Sequence, residues 1–537
     1  MEVEHGIVGL RDWTLARAVE PAVRVGIFLD GDAAAAVHLT PVRGPAVLGS
    51  PGGPDVVIDP GTEIEVRHAR PALSLRISGQ AARTVPSLRL HAAPVADDLR
   101  VSKPGDCEAG ILLRDVPAGR GFHWEKRVSQ ILPGTLELSV GRHGVVLVNV
   151  LPLETYLAGV ITAEMSAACP LEFLKAQAIV ARSWLLAMTE PKHRGEPFDR
   201  CNDDCCQRYQ GTGGLTATAL AAVHDTRGVV LLSPAERRDG SEPEAGGRAD
   251  QSEPEAPARA KDEGIEGSRD QEACSRPEAR APSEPEARGR ANGARRGDTH
   301  RSCSILDANY SKCCGGVTET PWAVWGLDKP GIRPVVDAPP DAPDRRFFPV
   351  SDANLEEYLD GAWLARTQVY CSPNVVAPDS LSRYLGRVDA VGDYFRWAVR
   401  YTRAELEELL RVNLTDAAGL TELRDIHVRA RGASGRAYAV QIDWLDAQGQ
   451  PVRSRLDGEY RIRQALHRTF LYSSAFAVRP ERDPGGRLSA IVLRGAGWGH
   501  GVGMCQIGAL GMALSGQSSE AICSHYYAAA KLGGVYT

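Results

Sequence analysis

Glu164 is a carboxylate placed in a short break between two helix-forming segments of residues 151–190, and the second segment carries Lys175 and Arg182. An acid beside a basic helical stripe suits proton transfer on an anionic or acetamido-bearing sugar polymer. On this pattern alone, the plainer alternative is a solvated helix-end acid beside a wet cationic face. His193, Cys201, Cys205 and Cys206 form a second group. One imidazole with two or three thiolates suits a tetrahedral zinc ion, and a disulfide or idle thiols is the other reading. Cys205 or Cys314 is the further ligand such a site would draw on, with Cys313 as an alternative. A third group is His500, flanked by Gly497, Gly499, Gly501 and Gly503. Glycines permit positive φ and close backbone approach. No strand–glycine–helix motif ending in Lys-Ser/Thr accompanies them, so nucleotide phosphate binding is not indicated.

Helices and turns must position these groups. Pro152 suits a helix start, and Leu153, Tyr156, Leu157, Val160 and Ile161 follow at helical spacing. Pro170 suits a second start, with an apolar stripe through Leu171, Leu174, Ala178, Ala181 and Leu185. Lys175 and Arg182 lie about two turns apart, so they share a side of this helix. Residues 165–169 leave room only for a turn. Strands are expected at 23–29, 55–58, 73–77, 88–90, 110–113, 135–140 and 144–150. A Cys-rich loop at 193–211, a helix at 217–224 and a strand at 228–232 come next. Later come a strand at 304–308 and a helix at 403–412 with Thr402 as N-cap. A strand pair at 425–431 and 437–444, a turn and strand at 457–461, and a strand at 488–494 complete the reading.

Residues 234–301 differ in kind. They are rich in Glu, Arg, Pro, Gly and Ala, and S-E-P-E-A recurs at 241–245, 252–256 and 283–287. Such a stretch buries too little apolar surface to offset its ordering entropy, so it is expected to be a disordered insertion. The expected fold class is α+β: a strand-rich part at 22–150, a helical block and Cys-rich loop at 151–233 forming a cleft, and the insertion. Residues 302–345 return to the core, 346–490 form an α+β subdomain, and 491–537 hold the His loop and a final helix.

The chain has 537 residues and a net charge of −6. That balance implies no general attraction to nucleic acid or to an anionic membrane surface. No apolar run reaches the ~18 residues of a transmembrane helix. Residues 1–10 lack a cationic start followed by an apolar run, so no secretory signal is visible. The 12 cysteines gather around 201–206 and 303–314.

Several ordered blocks together resemble one family. They are Val23-Arg24-Val25-Gly26-Ile27, residues 151–157 with Ala163-Glu164-Met165, and Lys175-Ala176-Gln177-Ala178 with Ala181-Arg182. Cys206-Gln207-Arg208-Tyr209-Gln210-Gly211, the run Y-S-K-C-C-G-G-V-T-E at 310–319, residues 499–506 and His525-Tyr526-Tyr527 follow in order. The chain thereby resembles the SpoIID/LytB family, peptidoglycan lytic transglycosylases of the stage II sporulation protein D type. The resemblance implies that Glu164 is the catalytic acid and base. It implies glycan contacts from Lys175, Arg182, Tyr209, Tyr310, Ser311, His500 and Gln506. It also implies a structural zinc on His193, Cys201 and Cys206. Peptidoglycan strands, and a cell-wall amidase, are the partners it suggests. An extracytoplasmic location at the cell envelope follows from the same likeness. The alternative within the family is a non-catalytic wall-binding or amidase-enhancing protein. Cys505 stands where the family carries Ser.

Overall fold

The computed structural model describes residues 10, 18–42, 44–92, 110–121, 125–187, 192–233, 304–386, 392–414 and 419–536. The 234–301 insertion, Cys107, Cys274 and Cys303 lie outside the described residues, as does most of the stretch before Ala22. The architecture is α+β, as expected: several β-sheets with short helices set against them.

The N-terminal part alternates buried and open positions in short strands, the pattern that lets one face of a sheet meet a core. A seven-stranded sheet and a six-stranded sheet result, and their inward residues share one hydrophobic core. Strand Val145–Pro152 is buried on both faces. Val145, Leu147 and Leu151 enter the shared core, while Val146 and Val148 meet Phe198 and Cys201 on the far side. Its near-continuous apolar run is explained by that double covering. It pairs antiparallel with Ala22–Phe28, which in turn pairs parallel with Arg200–Cys201. The Cys-rich loop is thus stitched to the edge of the sheet.

Pro152 ends this strand and directly precedes helix α1, Leu153–Glu164. Helix α2 is Leu171–Ala187, and α3 is Ala217–Asp225. Residues 165–170 turn between α1 and α2, with Met165 bridged to Leu385 and the Ser166 amide bonded to the Tyr384 carbonyl. Gly159 is where α1 touches its neighbour: a Cβ there would stand 2.5 Å from the Tyr209 ring and 2.9 Å from the Gly211 carbonyl.

Strand Val229–Ser233 pairs with Ser304–Ile305, and Ser233 and Ser304 are register partners. The two ends of the insertion therefore leave from one point. The strand expected at 304–308 is only Ser304–Ile305, because the chain then turns to present Asn309 and Tyr310. Tyr310–Ser311 pairs parallel with Met504–Cys505, which draws the His500 loop alongside.

A second core, separate from the first, is built by residues of 397–493 around Trp444. Thr402 caps helix Arg403–Asn413 in a full capping box with Glu405, as the sequence indicates. Strands Leu420–Arg431 and Ala437–Asp446 pair around 432–435. The expected strand at 457–461 is corrected: strand Pro451–Asp457 ends there, Gly458 turns at φ +91°, and Glu459–Ala465 is a helix.

Candidate functional site

Glu164 is the last residue of α1, and the extended backbone of Met165 ends the helix there. It is 8 % exposed. Its Oε1 accepts the Arg208 backbone N–H at 3.0 Å and the Tyr310 hydroxyl at 3.0 Å. Oε2 has no hydrogen-bond partner among the described residues. Lys312 does not pair with the carboxylate. Its Nζ donates instead to the Glu164 carbonyl at 2.6 Å, capping the negative end of α1.

Burial raises the Glu164 pKa above the ordinary carboxylate value; the Arg208 and Lys312 charges oppose the rise and Asp204 adds to it. Arg208 is held off by its own ion pair with Asp204. The result is a carboxyl that keeps its proton to higher pH than a solvated acid, with one oxygen fixed and the other unengaged. Such a group can give a proton and take one back.

Behind it, Tyr156 donates to Gln207 Oε1 at 3.2 Å, and Gln207 donates to the Ala181 carbonyl at 3.1 Å. Tyr156 and Tyr209 stack with centroids 5.2 Å apart. These contacts lock the 206–210 segment onto α1 and α2, and so aim the Arg208 N–H at Glu164.

The structure sorts the other sequence-derived positions into two sets. Tyr310 and Ser311 lie on one short strand, Tyr310 reaching Glu164, with the Ser311 hydroxyl buried and unpartnered among the described residues. Gly499 packs beside Ser311, so the His500 loop runs past this strand. His500 Nδ1 accepts the Val502 N–H at 3.0 Å, which leaves the proton on Nε2. Burial, reinforced by Arg436, Arg463 and Lys329, pushes its pKa down to about 3, so the ring is a neutral donor.

In the second set Arg182, Tyr209 and Gln506 are buried, and Lys175 is half-buried. Arg182 is 0 % exposed and forms a bidentate pair with Glu154, at 2.9 and 2.6 Å, with a further bond to the Val229 carbonyl. A guanidinium enclosed in this way holds α2 to α1 and to the next strand and cannot reach a glycan. Lys175 turns to Glu172 and Asp225. Tyr209 is fully buried with its hydroxyl on Asn149, and Gln506 is buried against Gln177. Arg182, Tyr209 and Gln506 are therefore enclosed by protein partners, whereas Lys175 keeps part of its side chain at the surface. The concavity lined by Trp322, Asp352, Arg431 and Tyr438 shares no residue with the Glu164 cluster.

Sequence reasoning missed Arg208, Gln207 and Lys312. The one available signal was a charged residue inside each otherwise small or aromatic block, at 206–211 and 310–316.

His193, Cys201, Cys205 and Cys206 do converge, their ligand atoms within 4.8 Å of one another. Cys206 Sγ is 3.3 Å from His193 Nε2, Cys205 Sγ is 4.0 Å from it, and Cys201 and Cys205 are 2.9 Å apart. Burial alone would raise the Cys206 pKa, but Cys201, Cys205 and His193 more than offset it and hold the thiol well below its usual value. One imidazole and three sulfurs gathered in one place are the donor set of a four-coordinate metal ion, with Cys205 inside the set. Cys314 is not part of it; it sits with Asp337, Cys371 and Cys505. None of the described cysteines is joined in a disulfide.

Residues 141–232, which hold Glu164, Arg208 and the His193 cluster, match the family model described as SpoIID, stage II sporulation protein. This segment is thus a SpoIID-type domain, and the match supports kinship of the chain with that family. The domain match supports a cell-wall, sporulation-related function and implies peptidoglycan as the substrate class. Residues 352–503, including the second core and His500, match a domain of unknown function, DUF8618. No curated protein matches the chain. No helix among its described residues is long and apolar enough to cross a membrane.

Proposed function

We propose that this SpoIID protein is a lytic transglycosylase that cleaves the MurNAc-β-1,4-GlcNAc bond of peptidoglycan. The observation that carries the reading is Glu164: a buried carboxyl with a raised pKa, one oxygen pinned by Arg208 N–H and Tyr310, and the other unengaged. Glycosidases that use water or a covalent intermediate need two carboxylates flanking the bond. A transglycosylase needs one, because the sugar's own 6-hydroxyl is the nucleophile.

Glu164 first protonates the leaving glycosidic oxygen. Its carboxylate then accepts the proton of the MurNAc 6-hydroxyl as that oxygen attacks C1. The product is a 1,6-anhydroMurNAc end, and no water is consumed. Tyr310 and the Arg208 N–H steady the carboxylate in the charged state between the two transfers. Lys312 fixes the carbonyl of the same residue and so the end of the helix that carries it. Neutral His500 and Ser311 offer hydrogen bonds to sugar hydroxyls or acetamido groups from the neighbouring wall.

His193, Cys201, Cys205 and Cys206 would hold zinc as a structural ion, ordering the loop that leads to Arg208. An extracytoplasmic site of action goes with a wall substrate. The test is product analysis on peptide-stripped and peptide-bearing peptidoglycan by mass spectrometry. Anhydro ends support the proposal. Reducing MurNAc ends indicate hydrolysis instead, and glycan binding without cleavage supports a wall-binding or amidase-enhancing role.

A further inference from the structure

Cys314, Asp337, Cys371 and Cys505 come from four separate segments, and their ligand atoms lie within 4.8 Å of one another. All four residues are buried, at 3 % exposure or less. The distances have a definite meaning. A tetrahedral zinc ion with Zn–S about 2.3 Å and Zn–O about 2.0 Å places two sulfurs about 3.8 Å apart, and a sulfur and an oxygen about 3.5 Å apart. Cys314 Sγ is 3.7 Å from Cys371 Sγ and 3.5 Å from Asp337 Oδ2. A disulfide needs its sulfurs about 2.05 Å apart, so the spacing is that of co-ligands.

The surroundings favour anionic donors. Cys505 Sγ accepts backbone N–H bonds from Cys314 at 3.1 Å and Gly508 at 3.3 Å, and Cys314 Sγ accepts the Gly316 N–H at 3.3 Å. Asp337 is oriented by the Cys371 N–H at 3.1 Å and by the Tyr526 hydroxyl at 2.6 Å. Gly508 leaves the space for it: a Cβ there would stand 2.4 Å from its carboxylate. Ligands oriented by a second layer of hydrogen bonds are the usual build of a metal site. Asp337 has no ion-pair partner among the described residues. Two guanidinium groups wrap the backbone around the cluster, Arg436 on the Cys314 carbonyl and Arg396 on the Gly315 carbonyl. They suit a site whose ligands outweigh the charge of a divalent ion.

We propose that Cys314, Asp337, Cys371 and Cys505 form a second, closed structural metal site that binds zinc. It lies outside the loop of the His193 cluster and does not depend on any catalytic role for Glu164. Its ligands join the glycine turn after Tyr310–Ser311 to the start of helix Gln506–Leu514 and to the segment around Cys371. The metal thereby fixes the strand pair that carries Tyr310. The Cys at 505, in place of the family's Ser, is then a metal ligand and not a nucleophile.

The experiment is elemental analysis and zinc X-ray absorption on the full chain purified without chelator. Wild type should carry two zinc ions per chain. His193→Ala/Cys206→Ser should keep one, with a first shell of three sulfurs and one oxygen. Should that variant fail to fold, chelator-dependent alkylation of wild type, mapped by mass spectrometry, reads the same site. Cys314, Cys371 and Cys505 should become reactive together as one zinc is withdrawn. Alkylation of these three that ignores zinc removal overturns the proposal. So does a remaining zinc with an imidazole shell, iron with thiolate-to-metal visible absorption, or a Cys314–Cys371 disulfide.

Discussion

Tyr310→Phe removes the one hydrogen bond that the Glu164 carboxyl receives from a side chain among the described residues, leaving ring and packing in place. The hydroxyl donates to Oε1 at 3.0 Å, and burial pushes its own pKa well above the usual phenol value, so it is a donor at any working pH. A hydrogen bond to a charged acceptor is worth about 1.5–3 kcal/mol. Part of that persists when the carboxyl is neutral, because its carbonyl oxygen still accepts. A difference of about 1.4 kcal/mol between the two forms then moves the pKa up by about one pH unit. Activity that needs protonated Glu164 falls as pH rises through its pKa, so the alkaline limb of kcat/KM should move up by about one pH unit. The stability sign follows from the same raised pKa. The native carboxyl holds its proton more tightly than the unfolded chain does. This group's contribution is therefore most favourable below the unfolded carboxylate range, about pH 4, and declines as pH climbs to the raised native value. Glu164→Gln should abolish that decline. The assays are a pH profile of anhydro-end formation and a carbon-13 carboxyl titration, with Glu164→Gln as the blank. A limb that stays put in Tyr310→Phe, or moves to the acid side, refutes the reasoning.

Glu164→Gln itself should lower turnover by at least about 10²–10⁴-fold with glycan binding kept, since the isostere cannot cycle a proton; wild-type-like turnover would falsify the assignment. Arg182→Met should cost about 3–5 kcal/mol by stranding Glu154, read as a fall in Tm, with KM for glycan unchanged in the folded fraction. A raised KM with unaltered Tm would restore Arg182 as a glycan contact. Cys206→Ser or His193→Ala should lower both zinc content and Tm, and finding Cys201 and Cys206 joined under non-reducing mass spectrometry would replace the metal with a disulfide. Deleting residues 235–299 with a short Gly/Ser linker should leave Tm and activity near wild type, because Ser233 and Ser304 already face each other in register. A large loss would show that the segment packs or binds.

Much of the fold was legible because its signals are local. Prolines before Leu153 and Leu171 and apolar residues at helical spacing mark α1 and α2 within a residue or two. The same periodicity misleads over Arg182. Spacing says that Lys175 and Arg182 share a side of the helix, but not whether that side meets water. The answer lies in Glu154, 28 residues earlier, which pairs with the fully buried Arg182. Tyr209 is enclosed for a related reason: Gly159 leaves room on α1 for its ring. Glu164 was legible as a position, not as an acid. Its raised pKa needs burial, and its two hydrogen-bond donors stand 44 and 146 residues away.

The cysteines make the same distinction between local and assembled chemistry. His193 and Cys201 to Cys206 share one loop, so their convergence costs only the closure of a short segment, and the composition of that segment announces it. Cys314, Asp337, Cys371 and Cys505 meet only because strand Tyr310–Ser311 pairs with Met504–Cys505 and because Asp337 and Cys371 are bonded to each other. No spacing rule reaches across such separations. Cys314 therefore reads in sequence as a spare ligand for the nearer cluster, when packing has assigned it elsewhere. The consequence for the site is direct. The strand that delivers Tyr310 to Glu164 is tied at its far end to Cys505. Anything that loosens the four-residue cluster should therefore be felt at the carboxyl, without any of its members touching a substrate.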